Sequence, residues 1–418
     1  MRYVIIGGCI AAMGAVEGIR SIDKKGSITI LDGEQRGVYS RPLISYYLAQ
    51  PDRFKNLAYR SAEYLDHHGV DVMKGWAVQI DRSRREVVLH DGQIISYDRL
   101  LIATGAAPFI PDISGIKAPW VKTFYTIADV EALDSILTKG HNALIIGSGL
   151  IGMKAAESLR QRGLNVSVIE KERHILPRIL SPESANMVNC LLNEAGIKTQ
   201  CGEELTAVNE NQANFASGLC LPVDILVLAM GTKPHIELAM DAGLKVNQGI
   251  MVDEYLQTSD ENIYAAGDVI ETRNIITGTS EIMALLPLAH REGYLAGVNM
   301  AGSKSCAYEG GIFMNSLNIL GISICSAGSL PRAETEFLVW QEDHKYLQIF
   351  LDGDFLCKYI AVNLPEVTGP LTNTIADKIR IEKRLWQHFM TSPTLSAFPD
   401  VYWQKLRKEA NYDYNKCS

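Results

Sequence analysis

Apolar runs alternate with helix-period segments along most of the chain. Arg2–Ile6 runs into Gly7-Gly8-Cys9-Ile10-Ala11-Ala12, a helix pattern continues to about Asp23, and a second apolar run, Ser27–Leu31, stops at Asp32. Short, continuous apolar runs between turn signals suit strands buried on both faces, as in a parallel sheet. The order repeats over Ala143–Glu170: an apolar run, Ala143–Ile146, then Gly147, Gly149 and Gly152, an alanine-rich helix pattern, and a second run ending at Glu170. Between them, Val38–Gln50 reads as a helix opened by Arg41-Pro42. Val70–Ile80 and Arg85–Leu89 read as a small meander with Asp91-Gly92 as its turn, and Leu100–Ala103 as a buried strand ending in Thr104-Gly105. Pro108, Pro111, Gly115 and Pro119 punctuate a crossover that leads through a helix, Asp129–Thr138, into the second unit. Further on come a helix over Pro182–Ala195, a buried strand Ile225–Ala229 closing at Met230-Gly231, a strand at Ile263–Asp268 and a helix over Leu286–Asn299. From about 306 the pattern turns antiparallel, with Ile312–Ile324 and Glu336–Val362 as strands and Asp352-Gly353 as a hairpin turn, before helix patterns resume near Gly369–Met390 and Val401–Lys408. The expected fold is α/β: two nested three-layer Rossmann-like domains, 1–111 with 241–305 and 112–240, followed by an α+β domain, 306–418.

Composition narrows this picture. A chain of 418 residues, 47% hydrophobic, has length enough for two or three cored domains. A net charge of −8 leaves no basic footprint, which argues against nucleic-acid binding. No apolar run approaches the roughly 20 residues of a membrane span. A strand starting at Arg2 leads us to expect no signal peptide and a cytoplasmic location. The eight cysteines, Cys9, Cys190, Cys201, Cys220, Cys306, Cys325, Cys357 and Cys417, form no C-x-x-C, so no dithiol centre and no metal site is expected.

The glycine spacing carries the chemistry. Gly147, Gly149 and Gly152 fit G-x-G-x-x-G in a strand–turn–helix–strand frame: a tight turn, close approach of a pyrophosphate, and close helix–strand packing. The helix N-terminus offers N–H groups and a positive dipole end to phosphate. Glu170 closes the next strand, where a carboxylate can bind the ribose hydroxyls of NADH and repel the 2′-phosphate of NADPH; Lys171 and Arg173 beside it work the other way. The first unit reads Gly7, Cys9, Ala12 at the same positions, with Asp32 or Glu34 for the ribose. Cysteine at the second position is a departure that a slight backbone shift would accommodate.

Two nested βαβ units, the Ala103-Thr104-Gly105 strand end, and Thr258 with Tyr264-Ala265-Ala266-Gly267-Asp268 together resemble the pyridine nucleotide–disulfide oxidoreductase superfamily. Tyr39-Ser40-Arg41-Pro42-Leu43, Asn299-Met300-Ala301-Gly302 and Tyr308-Glu309-Gly310-Gly311 resemble its rubredoxin reductase, nitrite reductase flavin domain and carbon monoxide dehydrogenase-associated flavin–NADH oxidoreductase subgroup. The resemblance implies an FAD-dependent NAD(P)H oxidoreductase. It implies an FAD set of Gly7, Gly8, Cys9, Ala11, Ala12, Asp32, Arg41, Pro42, Val78, Ala103, Thr104, Gly105, Gly267, Asp268, Leu286 and Pro287. It implies an NAD set of Gly147, Gly149, Leu150, Ile151, Gly152, Glu170, Met230 and Gly231. Relatives place a redox cysteine against the flavin, but no cysteine lies between Cys9 and Cys190 here, so hydride from NADH to flavin N5 would be followed by direct electron exit. The implied acceptor is a small iron–sulfur or rubredoxin-type protein. The alternatives are an NADH oxidase or small-molecule reductase, and a flavoprotein subunit of a larger redox complex; a homodimer through the third domain is also implied. Many relatives carry a glutamate where this chain has Lys154, which could contact the nicotinamide, pair with a carboxylate, or face solvent.

Overall fold

The computed structural model describes residues 1–54, 56–209, 211–302, 304–332 and 334–414; Cys417 lies outside them. The chain packs as two compact units, one of Met1–Pro111, Lys122–Leu137 and Leu228–Gly311, the other of Asp112–Val121, Thr138–Val227 and the chain from Ile312 onward.

The first unit is built on a five-stranded parallel sheet in the order Ile263–Ala265, Arg99–Ile102, Arg2–Ile6, Ser27–Asp32, Val70–Lys74. Arg2–Ile6 sits centrally because its apolar run can be buried on both faces: Tyr3, Val4, Ile5 and Ile6 are all buried, and both neighbours pair with it in parallel. Truncating such a residue, Ile5→Ala for example, costs about 2–5 kcal/mol. Val70–Lys74 departs from the expected meander. It pairs in parallel with Ser27–Asp32, and the chain breaks at Gly75-Trp76 before the true meander of Ala77–Asp81, Glu86–Leu89 and Ile94–Ser96. A continuous stretch of strand-type residues hid the break.

Helix Ile10–Ile22 is held against helix Leu286–Ala301 at backbone distance. Gly14 and Gly18 face the carbonyls of His290 and Tyr294, while Gly293 and Gly297 face those of Ala11 and Ala15; a Cβ at any of the four would overlap the facing oxygen. Glycines four apart lie on one helix face, so the two stripes interlock. The pairing brings two helices, far apart in sequence, side by side.

The second unit has parallel strands in the order Ile197–Cys201, Asn165–Glu170, Asn142–Ile146, Ile225–Leu228, with helix Leu150–Gln161 crossing between the middle pair. It also holds the antiparallel sheet Met314–Ile319, Ile322–Gly328, Phe355–Val362, Lys345–Asp352, Glu336–Glu342, covered by helix Pro365–Ala376. Trp386, Phe389 and Phe398 form an edge-to-face cluster beneath the last helices. No helix among the described residues is long and apolar enough to cross a membrane.

Candidate functional site

In the first unit, Gly7 N–H bonds across to Leu31 O (3.0 Å) on the neighbouring strand, and Cys9 caps helix Ile10–Ile22 with an extended backbone and no side-chain capping bond. The helix N-terminus is therefore open to a ligand anion. Asp32, buried at the end of its strand, accepts three N–H groups: Glu34 and Gln35 on Oδ1, both at 3.1 Å, and Gly37 on Oδ2 at 2.8 Å. Gly8 leaves space beside it, since a Cβ there would stand 3.5 Å from the Asp32 carboxylate. Asp32 keeps one acceptor place beside the glycine loop, whereas Glu34 is engaged elsewhere, paired with Arg41 and accepting from the Tyr39 hydroxyl at 2.5 Å.

Arg41 is the charged centre of this site. Its guanidinium lies over the Tyr125 ring (4.7 Å) and the Tyr39 ring (5.5 Å) and donates to the Tyr39 hydroxyl and Tyr125 O. Burial opposes its charge, but Tyr39, Cys9 and Glu34 around it more than offset this and hold its pKa above the ordinary value. Burial pushes the Cys9 thiol up, with Arg41 pulling the other way. Cys9 therefore fits the loop with its sulfur beside a cation. Burial likewise raises the Asp268 carboxyl, again against Arg41, and among the described residues no side-chain hydrogen bond engages that carboxylate. Asp268 follows Gly267, whose N–H donates to the buried Glu292 at 3.0 Å.

The other expected residues of the set line the same strand ends. Ala103 N–H bonds to Ile6 O, Thr104 Oγ1 to His235 O at 3.1 Å, and Gly105 O accepts from His235 N–H. Leu286 and Pro287 open the helix that carries Glu292, and its N-terminus also lacks a side-chain cap. Pro42 opens the short turn Arg41–Leu43 ahead of helix Ile44–Ala49, and Ala11 contributes its methyl 3.2 Å from where Gly267 would carry a Cβ. Val78 is exposed next to Trp76, whose ring packs over Gly33. An apolar shelf, an acid with a free acceptor place, an unbonded carboxylate and two uncapped helix ends fit FAD.

In the second unit Gly147 N–H bonds to Ile169 O at 2.8 Å, and Gly149 caps helix Leu150–Gln161, again with no side-chain capping bond. A Cβ at Gly149 would meet nothing within 4 Å, so the loop is a cradle open to a phosphate. Leu150, Ile151 and Gly152 form the first helical turn. Glu170 accepts from Ser148 N–H (2.8 Å), Ser148 Oγ (2.5 Å) and Glu172 N–H (3.0 Å). Lys171 is taken up by Glu204 at 2.7 Å. Lys154 pairs with Glu157 and donates to Asn318 O, and Glu157 also accepts from Leu320 N–H at 2.8 Å. Met230 and Gly231 fall in the first unit, not with the remaining NAD residues, after the strand Ile225–Leu228.

Tyr125, Trp76, Ser148 and Glu292 were not foreseen. The only signal for Ser148 was its place between two motif glycines; Tyr125 and Glu292 gave none short of the folded contacts.

A family model described as pyridine nucleotide-disulphide oxidoreductase matches residues 1–293. The chain belongs to that family. The family's members are FAD-dependent NAD(P)H oxidoreductases, flavoproteins of electron transfer. The chain is 31% identical over 84% of its length to the assimilatory nitrate reductase electron transfer subunit of Bacillus subtilis, of which it spans only 48%, about half. It is 32% identical to an NADH oxidase of Methanocaldococcus jannaschii, covering 84% of this chain and 79% of that one. Its fold matches the NAD-dependent persulfide reductase from A. fulgidus with a TM-score of 0.85 and 26% identity, over 100% of this chain and 83% of that one.

Proposed function

We propose that this family member takes hydride from NADH and passes electrons singly to a small iron–sulfur or rubredoxin-type protein. FAD would be held by the first glycine loop, Asp32, Arg41 and Asp268, in a domain of 1–111 with 241–305. NADH would be held by Gly147–Gly152 and Glu170 in 112–240, and 306–418 would pair two copies. Bound FAD would supply the redox chemistry, a hydride acceptor that can also release electrons singly. The chain's own residues bind and orient: open helix ends take the phosphates, strand-end carboxylates take hydroxyls, and Arg41 sets the local positive field.

The observation that carries the proposal is Cys9. It is the sole cysteine among the residues assigned to the flavin, and its thiol is raised by burial. A reactive thiol needs a lowered pKa and usually a resolving partner, so a disulfide relay has no support here. The likeness to an electron transfer subunit points the same way. The likeness to an NADH oxidase favours a second reading, in which oxygen is the acceptor. An anaerobic NADH titration of the purified protein tests both. Bleaching of the flavin band at about one NADH per flavin, slow reoxidation in air and fast reoxidation by an oxidised one-electron acceptor such as ferric rubredoxin, which is reduced in turn, support the first. Fast catalytic oxygen consumption selects the second, and a flavin that NADH cannot bleach overturns both.

A further inference from the structure

The residue between the first two motif positions is Gly8 in one unit and Ser148 in the other. Ser148 is completely buried. Its N–H and its hydroxyl both donate to Glu170 Oε2, and its oxygen in turn accepts from Leu176 N–H at 3.0 Å. Leu176 holds φ +48°, and its carbonyl accepts from both Ile179 and Leu180 N–H, so the donor is fixed by its own turn. An ionised carboxylate has about four acceptor places. Oε2 is filled by Ser148, and Oε1 carries Glu172 N–H, which leaves one place on Oε1.

We infer that Ser148 is a specificity-determining positioning residue for the nicotinamide nucleotide. Its hydroxyl locks Glu170 so that the carboxylate takes a single ribose hydroxyl and cannot turn aside for a 2′-phosphate. The inference rests on reading Glu170 as the ribose acid. A carboxylate free to rotate can move its charge away from a phosphate, and the penalty for NADPH then falls. A carboxylate held by two donors on one oxygen keeps its charge in place, and both donors are buried, where such bonds are strongest. The Ser148 hydroxyl has one proton, and the Leu176 N–H occupies its oxygen, so that proton goes to Glu170.

The test compares the FAD-loaded wild type with Ser148→Ala, Ser148→Thr and Glu170→Gln. Binding of NAD⁺ and NADP⁺ is measured by calorimetry, without turnover. Ser148→Ala should lower the NAD⁺-over-NADP⁺ affinity ratio about tenfold, the scale of a lost hydrogen bond to a charged group, with FAD content unchanged. Its KM for NADH should rise while kcat at saturation holds. Ser148→Thr keeps the hydroxyl and should keep most of the ratio. A Ser148→Ala protein with the wild-type ratio, beside a Glu170→Gln protein that has lost it, overturns the role of Ser148 and leaves that of Glu170. A wild type without preference, or Glu170→Gln with the preference intact, overturns the ribose reading and Ser148 with it. Where Ser148→Ala does not fold, Ser148→Cys keeps the volume and weakens the donor, and an unchanged ratio there overturns the inference equally.

Discussion

The two βαβ units solve one problem in different materials. Each presents a strand-end carboxylate with three protein donors: Asp32 takes Glu34, Gln35 and Gly37 N–H, and Glu170 takes two donors from Ser148 and one from Glu172. In the first unit all three donors come from the loop after the strand, so the acid and the glycine loop are set independently. In the second, Ser148 belongs to the glycine loop itself, and the two parts move together. The helices differ as well. Ile10–Ile22 is held by interlocked glycines against Leu286–Ala301, through contacts that need no side chain. Leu150–Gln161 is held by polar side chains, Lys154 and Glu157, which reach the hairpin at Asn318 and Leu320. Backbone contact tolerates no added volume, whereas a polar clasp tolerates substitution at the cost of its hydrogen bonds.

The sharpest way to break this contrast is to disturb each clasp once. Gly14→Leu would drive a side chain into the His290 carbonyl and should cost at least about 3 kcal/mol in denaturant titrations, with loss of FAD. Glu157→Ala, in the second unit, removes a partly screened pair and one N–H acceptor and should cost roughly 1–3 kcal/mol while FAD stays bound. If Glu157→Ala proves the costlier of the two, the distinction fails.

Next in size is a pH effect. Glu157 meets the Lys154 ammonium, but Glu292, buried on the helix of the first unit, meets neutral donors, the Gly267 N–H and the Thr272 hydroxyl. Burial, partly countered by the Gly267 bond, pushes the Glu292 carboxyl up to about 7. A carboxyl raised in the folded state favours folding while protonated, so its contribution is whole below its ordinary pKa and is lost as pH rises through about 7. Stability followed from pH 5 to pH 8 should fall by roughly 3 kcal/mol through this group. Glu292→Gln should flatten that slope; an unchanged slope would mean that Glu292 does not titrate there.

The smallest effect sharpens the comparison of the acids. Gly8→Ser places a hydroxyl beside Asp32, imitating Ser148. It should weaken FAD binding about threefold to tenfold by taking the remaining acceptor place, with little change in fold stability. Flavin release followed by fluorescence reads this directly; tighter FAD binding would mean that the added donor helps the site.

Much of the fold was legible because a short apolar run between turn signals has few alternatives. Arg2–Ile6, Ala143–Ile146 and Ile225–Ala229 read as buried strands, and the strands found are Arg2–Ile6, Asn142–Ile146 and Ile225–Leu228. Val70–Lys74 did not read correctly, since its period matches either a meander or a sheet edge and only the partner, Ser27–Asp32, decides. The two strand-to-helix turns were legible because Gly7 and Gly147 take a positive φ that favours glycine. Arg41 stood out in the sequence ahead of Pro42, but its stacking on Tyr125 did not, because the sequence between them carries no trace of the contact. Lys154 admitted three roles on spacing, and the pairing with Glu157 one turn later is what the fold supplies. The interlocked helices went unread for the same reason: Gly14, Gly18, Gly293 and Gly297 are spaced alike, but spacing names a face and not its partner.

That interlock has a consequence for the order in which the protein is made. Helix Ile10–Ile22 leaves the ribosome well ahead of helix Leu286–Ala301, which emerges only after the whole of Thr138–Val227 has been synthesised. Loop closure over so long an insert costs only slightly more than over a short one, so the finished structure bears it easily. The nascent chain meets it as a delay. Strands Arg2–Ile6 and Ser27–Asp32 must wait, with the glycine face of the first helix uncovered, for a partner made only after the insert. The inserted sheet can close on its own residues sooner. The parallel sheet begun first is covered by its second helix only after the inserted sheet has been made, and the waiting interval is when this chain has most need of a chaperone.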